Sequence, residues 1–342
     1  MEISGYPPND FQILFPHYDS VISLKLDQHT NHLVGLWAKN RGRMDPSILQ
    51  LTAKHRIDGL FDPALTEWDD FSGRWSVAFE SSTDNAIGIF KVSSTREAIG
   101  TFLTTTGDYR YLAGRVDGNL MRLSAFDGAH AFLFHAKMLD DGTIKGDFWS
   151  GNWWHETWTA FRDDDAQLPD AFRETSITDE SKLGDMVFKD LEGIPTRVLD
   201  LLDESGAKAR VIEVFGTWCP NCADAGRELV DMRAKYGDDL AVVGLAFEVT
   251  EDFDRSVRQV KRYEERMGSD WPILVAGLSD KAKASEALPV LDRVRSYPTL
   301  IFLNERNEVE AVYTGFSGPA TGDAYTEQRA RFEAVIEKLI RE

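Results

Sequence analysis

Cys219 and Cys222 are the only cysteines in a chain of 342 residues, and they stand three apart in the run Thr217-Trp218-Cys219-Pro220-Asn221-Cys222. An apolar stretch, Val211-Ile212-Glu213-Val214-Phe215, precedes the run, and a helix-patterned stretch follows it. That order predicts strand, tight turn, CxxC and helix. The first turn of a helix presents unpaired N–H groups and a partial positive charge, which stabilise a thiolate. Cys219, at the turn, is the expected attacking thiol; Cys222, one helical turn on, is the expected buried resolving thiol that closes a disulfide on it. The implied chemistry is disulfide exchange. Pro220 sits where a missing N–H costs little, and with Asn221 it should tune the thiolate. The same spacing could supply half of a zinc site. Zinc needs four ligands, and the sequence offers no second CxxC and no near histidine pair, so no metal is expected.

Glu213 is the next candidate. An ionisable group inside an apolar strand is costly unless it has a partner or a task. The task it suggests is accepting the Cys222 proton, with its own pKa raised by burial. The alternatives are a carboxylate paired with a lysine and one that points to solvent. His130, His135 and His155 alternate with apolar residues in strand-like segments without carboxylate ligand spacing, and they read as satisfied or surface histidines. The acidic runs Asp163–Asp165 and Glu248–Asp254 read as solvated faces.

These residues need elements to hold them, and the chain has room for two domains. Its formal charge of −19 argues against nucleic acid and against an anionic membrane surface. No apolar run approaches the length of a membrane span. No signal peptide is visible, and the start at Met1 reads as trimmed. Residues 1–165 read as a β-rich domain of unassigned role. Seven of the nine tryptophans lie there, and a glycine, any residue, aromatic pattern recurs at Gly35-Leu36-Trp37, Gly73-Arg74-Trp75, Gly100-Thr101-Phe102 and Gly146-Asp147-Phe148. Asp-Gly turn signals at 117–118, 127–128 and 141–142 separate alternating segments, which predicts an antiparallel barrel or sandwich. Pro46 to Lys54 reads as the one helical stretch there. Residues 166–182 read as an acidic, turn-rich linker. From 183 to 342, expected strands (Met186–Lys189, Ala209–Phe215, Leu240–Phe247, Ile273–Val275, Leu300–Asn304, Val309–Thr314) interleave with expected helices (Asn221–Tyr236, Asp252–Met267, Lys281–Ala287, Asp323–Ile340). The fold class is therefore an α+β two-domain chain ending in a thioredoxin-like α/β domain.

The run Gly216 to Cys222, the strand before it, and Tyr297-Pro298-Thr299-Leu300-Ile301-Phe302-Leu303 resemble the TlpA/ResA-type thiol–disulfide oxidoreductases. The loop from Gly315 to Gly322 is similar to one branch of that family, and the first half is more loosely similar to β-rich domains fused to some members. The resemblance implies a cis Pro298 facing the CxxC, which leaves the Tyr297 backbone beside Cys219 to pair with a substrate strand. It implies Trp218 as an apolar cover over the disulfide, with plain core packing as its alternative. Glu213 falls six before Cys219, where thioredoxins commonly carry a buried aspartate. Many relatives carry a glutamate six after the first cysteine; here that place holds Ala225. The implied activity is reduction of disulfides in other proteins, with no cofactor. The implied partners are a disulfide-bearing protein substrate and a membrane-bound thiol reductant, and the implied location is the periplasm or cell envelope. Two other functions compete. In one, the β domain captures a ligand and the CxxC is incidental. The other is a thioredoxin-fold peroxidase, which needs a threonine and a proline where this chain has Gly216 and Ile212.

Overall fold

The computed structural model describes residues 2–5, 10–42, 44–55 and 67–342; Met1 lies outside them. The chain forms two compact units. One holds residues 1–104 and 109–168, the other Thr105–Asp108 together with Pro169–Glu342.

The first unit is all β. Strands β1 (Glu2–Gly5), β2 (Asp10–Phe15), β3 (Ser20–Asp27), β4 (His32–Arg41) and β5 (Met44–Ala53) pair in chain order as an antiparallel sheet. The expected helix at Pro46 to Lys54 is instead the edge strand β5. Its burial explains this: Ser47, Leu49 and Leu51 are more covered than Ile48, Gln50 and Thr52, a period of two rather than 3.6. An edge strand also tolerates Pro46, which has no N–H to give a ladder.

Nine more strands follow in the chain: β6 (Gly73–Phe79), β7 (Ala86–Val92), β8 (Glu97–Thr104), β9 (Gly107–Asp108), β10 (Leu112–Asp117), β11 (Leu120–Phe126), β12 (Ala131–Met138), β13 (Ile144–Ser150) and β14 (Trp154–Arg162), of which β9 belongs to the second unit. The other eight pair in the order β10-β11-β12-β13-β14-β6-β7-β8, and β10 also pairs with β8, which closes an eight-stranded barrel. Side chains fill its interior. Trp75, Phe90, Phe102, Phe134 and Trp158 are each at most 2% exposed, and Phe134 stacks on Phe102 and Phe148 at 4.5 and 4.4 Å. The glycine, any residue, aromatic pattern at Gly100 and Gly146 follows from this filling. Residues two apart share a face, so the aromatic points inward and the glycine beside it makes space. Gly146 lies opposite Trp158 in the ladder, and a Cβ there would stand 2.2 Å from the indole and 2.4 Å from the His135 carbonyl oxygen.

The second unit is built on a seven-stranded mixed sheet of order β16-β15-β19-β18-β17-β20-β21. Its strands are β15 (Val187–Lys189), β16 (Pro195–Arg197), β17 (Ala209–Phe215), β18 (Leu240–Glu248), β19 (Ile273–Leu278), β20 (Thr299–Leu303) and β21 (Val309–Thr314). Its helices are α1 (Val198–Ser205), α2 (Pro220–Tyr236), α3 (Phe253–Met267), α4 (Lys281–Ala287) and α5 (Asp323–Arg341). Every residue of β17 is buried, as in a central strand covered on both faces. It runs parallel to β18, with α2 as the crossover, and antiparallel to β20. Only β16 and α1 lie outside the expected elements; α1 buries Val198 and Leu202 and ends at Gly206. Residues of the acidic stretch 166–182 form a 3-10 turn at Ala171–Arg173 and begin a 3-10 helix, Glu180–Asp185, and Ile177 bridges to Leu291. Within this unit, the Thr106 carbonyl accepts from Ser296 Oγ at 2.7 Å, and the Asp108 carboxylate accepts from the Gly318 N–H.

Replacing Gly146 by alanine should overpack the barrel against the Trp158 indole and a fixed carbonyl. We expect a loss of roughly 1–3 kcal/mol of stability, read as a lower denaturant midpoint with an unchanged slope. An unchanged midpoint would mean that the aromatic layer has slack.

Candidate active site

The site is assembled where β17 ends. Phe215 is its last residue, and the chain turns through Gly216, Thr217 and Trp218 before α2 begins at Pro220. A Cβ on Gly216 would fall 2.3 Å from the Trp218 indole nitrogen and 2.9 Å from the Phe247 carbonyl oxygen, so the turn closes only around glycine. The Cys219 N–H donates to the Gly216 carbonyl at 3.1 Å. Cys219 is the N-cap residue of α2, and its Sγ accepts from the Cys222 N–H at 3.3 Å. The anticipated placement of a sulfur on a helix N-terminus is thus present in the geometry. Pro220 occupies the first turn, where its missing N–H leaves no bond unmade.

Both cysteines are free thiols here, and they differ in depth. Cys219 is 7% exposed and Cys222 is sealed. Burial pushes the Cys222 thiol well above its ordinary pKa, and the bond and charge of Cys219 push the same way. The Cys219 thiol also lies 3.5 Å from the Tyr297 carbonyl oxygen. The Tyr297–Pro298 peptide bond is cis, and Pro298 is buried at the start of β20. Trp218, half-buried, packs its ring edge-on to Tyr297 at 5.7 Å and donates its indole N–H to the Phe247 carbonyl at 2.9 Å. The structure therefore gathers Cys219, Cys222, Trp218, Pro220, Tyr297 and Pro298 in one place.

Glu213 is fully buried, and neither carboxylate oxygen has a hydrogen-bond partner among the described residues. It is neither lysine-paired nor solvent-facing. Burial, followed by the charge of Cys219, pushes its pKa up to about 8. Tyr263, on α3, donates its hydroxyl to the Cys222 carbonyl at 3.2 Å. Ala225 is buried on α2.

Glu248 corrects the sequence reading. It heads the acidic run read as a solvated face, yet it is 1% exposed. Its Oε1 accepts from the Thr217 N–H at 3.0 Å and its Oε2 from the Thr217 hydroxyl at 2.8 Å. Burial raises its pKa to about 7 while the Thr217 bonds pull it down. The histidines have local partners. His155 bonds Asp147 at 2.8 Å, and His130 bonds Asp127 at 3.3 Å.

A CxxC at the start of a helix, on the central strand of a mixed sheet and beside a cis-proline, defines a thioredoxin-fold thiol–disulfide oxidoreductase. Comparison with known proteins agrees. The chain is 27% identical over 143 residues to the thioredoxin-like protein YneN of Bacillus subtilis, covering 42% of this chain and 75% of that one. It is 30% identical over 133 residues to the thiol–disulfide oxidoreductase ResA of Halalkalibacterium halodurans, covering 38% and 64%. Among solved structures, a DsbF homologue from Corynebacterium diphtheriae aligns with a TM-score of 0.33 at 18% identity, over 48% of this chain and 98% of that one. No family model matches the chain. The chain is thus similar in sequence to thioredoxin-like proteins of the TlpA/ResA type.

The raised pKa of Glu213 makes a signed expectation for stability. Below pH 4.5 the carboxyl is protonated in both folded and unfolded chains. Between 4.5 and about 8 the unfolded chain loses this proton and the folded chain keeps it, so stability falls as pH rises through that window. Glu213→Gln removes the dependence. The variant should match the wild type near pH 4 and exceed it above pH 8 by on the order of a few kcal/mol. Denaturant unfolding at several pH values measures this; a difference that does not change with pH would mean that Glu213 ionises as freely in the fold as outside it.

Proposed function

We propose that this protein reduces disulfides in other proteins by dithiol–disulfide exchange through Cys219 and Cys222. The observation that carries the reading is the difference in depth of the two thiols: Cys219, 7% exposed, caps a helix N-terminus and accepts from the Cys222 backbone N–H, and the Cys222 thiol is sealed one turn below it. In the proposed sequence the Cys219 thiolate attacks one sulfur of a substrate disulfide. That S–S bond breaks, and the departing sulfur takes a proton. Cys222 then gives its proton to the Glu213 carboxylate and attacks the Cys219 sulfur. The mixed disulfide breaks, the second substrate sulfur leaves as a thiolate that takes up a proton from solvent, and two electrons have passed to the substrate. The Tyr297 backbone, beside Cys219, is the proposed rail for the substrate chain, with Trp218 and Pro220 as its apolar flank.

The reducing direction rests on the resemblance to ResA-like proteins, as does the proposed setting in the periplasm or cell envelope, where a membrane-bound thiol reductant would restore the dithiol. In the proposed division of the chain, residues 183–342 carry the chemistry, residues 1–165 are a β-rich domain and 166–182 join them. A second reading draws on the first unit. An apolar groove of about 660 Å³, lined by Ile22, Trp37, Leu49, Phe126 and Phe132 among others, could hold an apolar ligand independently of the cysteines.

After reduction, alkylation should mark Cys219 before Cys222. Cys222→Ser should trap a mixed disulfide with a substrate, and Cys219→Ser should not; mass spectrometry of the adducts reads both. The double variant should lose insulin reduction. Retained reductase activity in the double variant, or faster labelling of Cys222, would overturn the assignment. Glu213→Gln should slow resolution of the mixed disulfide near neutral pH and less so at high pH, where the thiol ionises unaided.

A further inference from the structure

We propose that Glu248 is a positioning residue of the dithiol site, anchoring the Thr217–Trp218 turn and so setting where the Cys219 sulfur stands. The inference rests on Cys219 being the attacking thiol. It starts from where the sheet stops helping. The ladder between β17 and β18 ends at the pair Phe215 and Ala246. Beyond that pair, the turn that carries Cys219 has left the sheet. Glu248 lies two residues further along β18 and reaches across this gap with its side chain.

Both of its carboxylate oxygens go to one residue. Thr217 gives its backbone N–H to one and its hydroxyl to the other, and Thr217 stands two before Cys219. The neighbouring residue adds a third tie, from the Trp218 indole N–H to the carbonyl of Phe247. The anchor is itself fixed. Glu248 pairs with Leu278 on β19, and its carbonyl accepts from the Ser279 N–H at 2.8 Å. The turn is thus tied to the third strand of the sheet through one side chain.

The choice of residue type supports a specific task. A carboxylate buried to 1% exposure carries a desolvation cost that a neutral side chain would avoid. What it gains is two charge-assisted bonds, which are shorter and stronger than neutral ones. Its oxygens are engaged by Thr217, so it acts on the sulfur through the turn. The sulfur has little latitude, since it receives the Cys222 N–H at 3.3 Å and lies 3.5 Å from the Tyr297 carbonyl. In sites of this kind a misplacement of about 1 Å costs on the order of 100-fold in rate.

The test uses the full reduced chain and four variants: Glu248→Ala, Glu248→Gln, Thr217→Val, and Glu248→Ala with Thr217→Val. The readout is the rate of Cys219 alkylation by iodoacetamide, with the site mapped by mass spectrometry, well below each variant's own unfolding midpoint. Glu248→Ala should slow labelling by about 10-fold or more. Glu248→Gln keeps an acceptor of the same reach and should recover most of the rate. Thr217→Val loses the hydroxyl bond and keeps the N–H bond, so it should fall between. The double variant should be no slower than Glu248→Ala, because the hydroxyl acts only through the carboxylate. A folded Glu248→Ala that labels at the wild-type rate would overturn the proposal, and so would effects that multiply in the double variant. If Glu248→Ala does not fold, Thr217→Val decides, since labelling at the wild-type rate in that variant refutes the tie. In all these outcomes the label stays on Cys219. A label that appears first on Cys222 in the wild type instead refutes the attacking-thiol reading on which this one rests.

Discussion

Keeping the second thiol out of water is the constraint on which the site depends. A sealed Cys222 holds its proton, because its thiolate would have no solvent to stabilise it. Any route that uses this sulfur as a nucleophile must therefore supply a nearby proton acceptor that is equally dry. Glu213 is the acceptor we propose. It is carried on the strand that feeds the cysteine turn, fully buried and without a hydrogen-bond partner among the described residues. Only a central strand with apolar residues on either side can hold a carboxylate this way, and β17 is such a strand. The fold bears the cost of an unpartnered acid through the large apolar core around it, which includes Val211, Val214, Phe215, Leu245 and Ile301.

Two buried acids flank this turn, and their surroundings separate them. Glu248 has both oxygens engaged by Thr217, and its pKa rises only to about 7. Glu213 has no such bonds, and its pKa rises to about 8. Hydrogen bonds to a carboxylate favour its charged form, and burial without them favours the neutral one. One acid is therefore held as a fixed acceptor that secures the backbone, and the other is free to gain or lose a proton. Similar side chains take different tasks because of what faces them.

Much of the second unit was legible in the sequence because its signals are local. The CxxC after an apolar run gives strand, turn and helix, and β17, β21 and α4 have the expected bounds. The burial of Glu213 followed from its place in an apolar strand. Glu248 was not legible, because its neighbours Glu251, Asp252 and Asp254 are solvated and made the run look uniformly wet. Its partner, Thr217, is thirty-one residues away in sequence, a pairing that only the parallel register of β17 and β18 creates. The inclusion of Thr105–Asp108 in the second unit was hidden for the same reason, since its bonds to Ser296 and Gly318 span some two hundred residues. The β5 error was a period misread in a short segment, where Leu49 and Leu51 fit a strand and a helix alike until the partner strand is known.

The first unit was legible as architecture, and the reason bears on what it can do. Two of its glycine, any residue, aromatic repeats follow from packing: Gly100 and Gly146 leave space for the rings of Phe90 and Trp158. Side chains fill the barrel interior, and the apolar groove lies on the outside of the unit, with walls from strands of both sheets, Ile22 and Trp37 from the five-stranded one and Phe126 and Phe132 from the barrel. Phe126 is 45% exposed while its ring packs edge-on against Trp37 at 5.5 Å, so the groove floor is fixed and its rim is open. Aromatic side chains thus serve this unit twice, filling the barrel interior and lining an apolar groove at the seam between its two sheets.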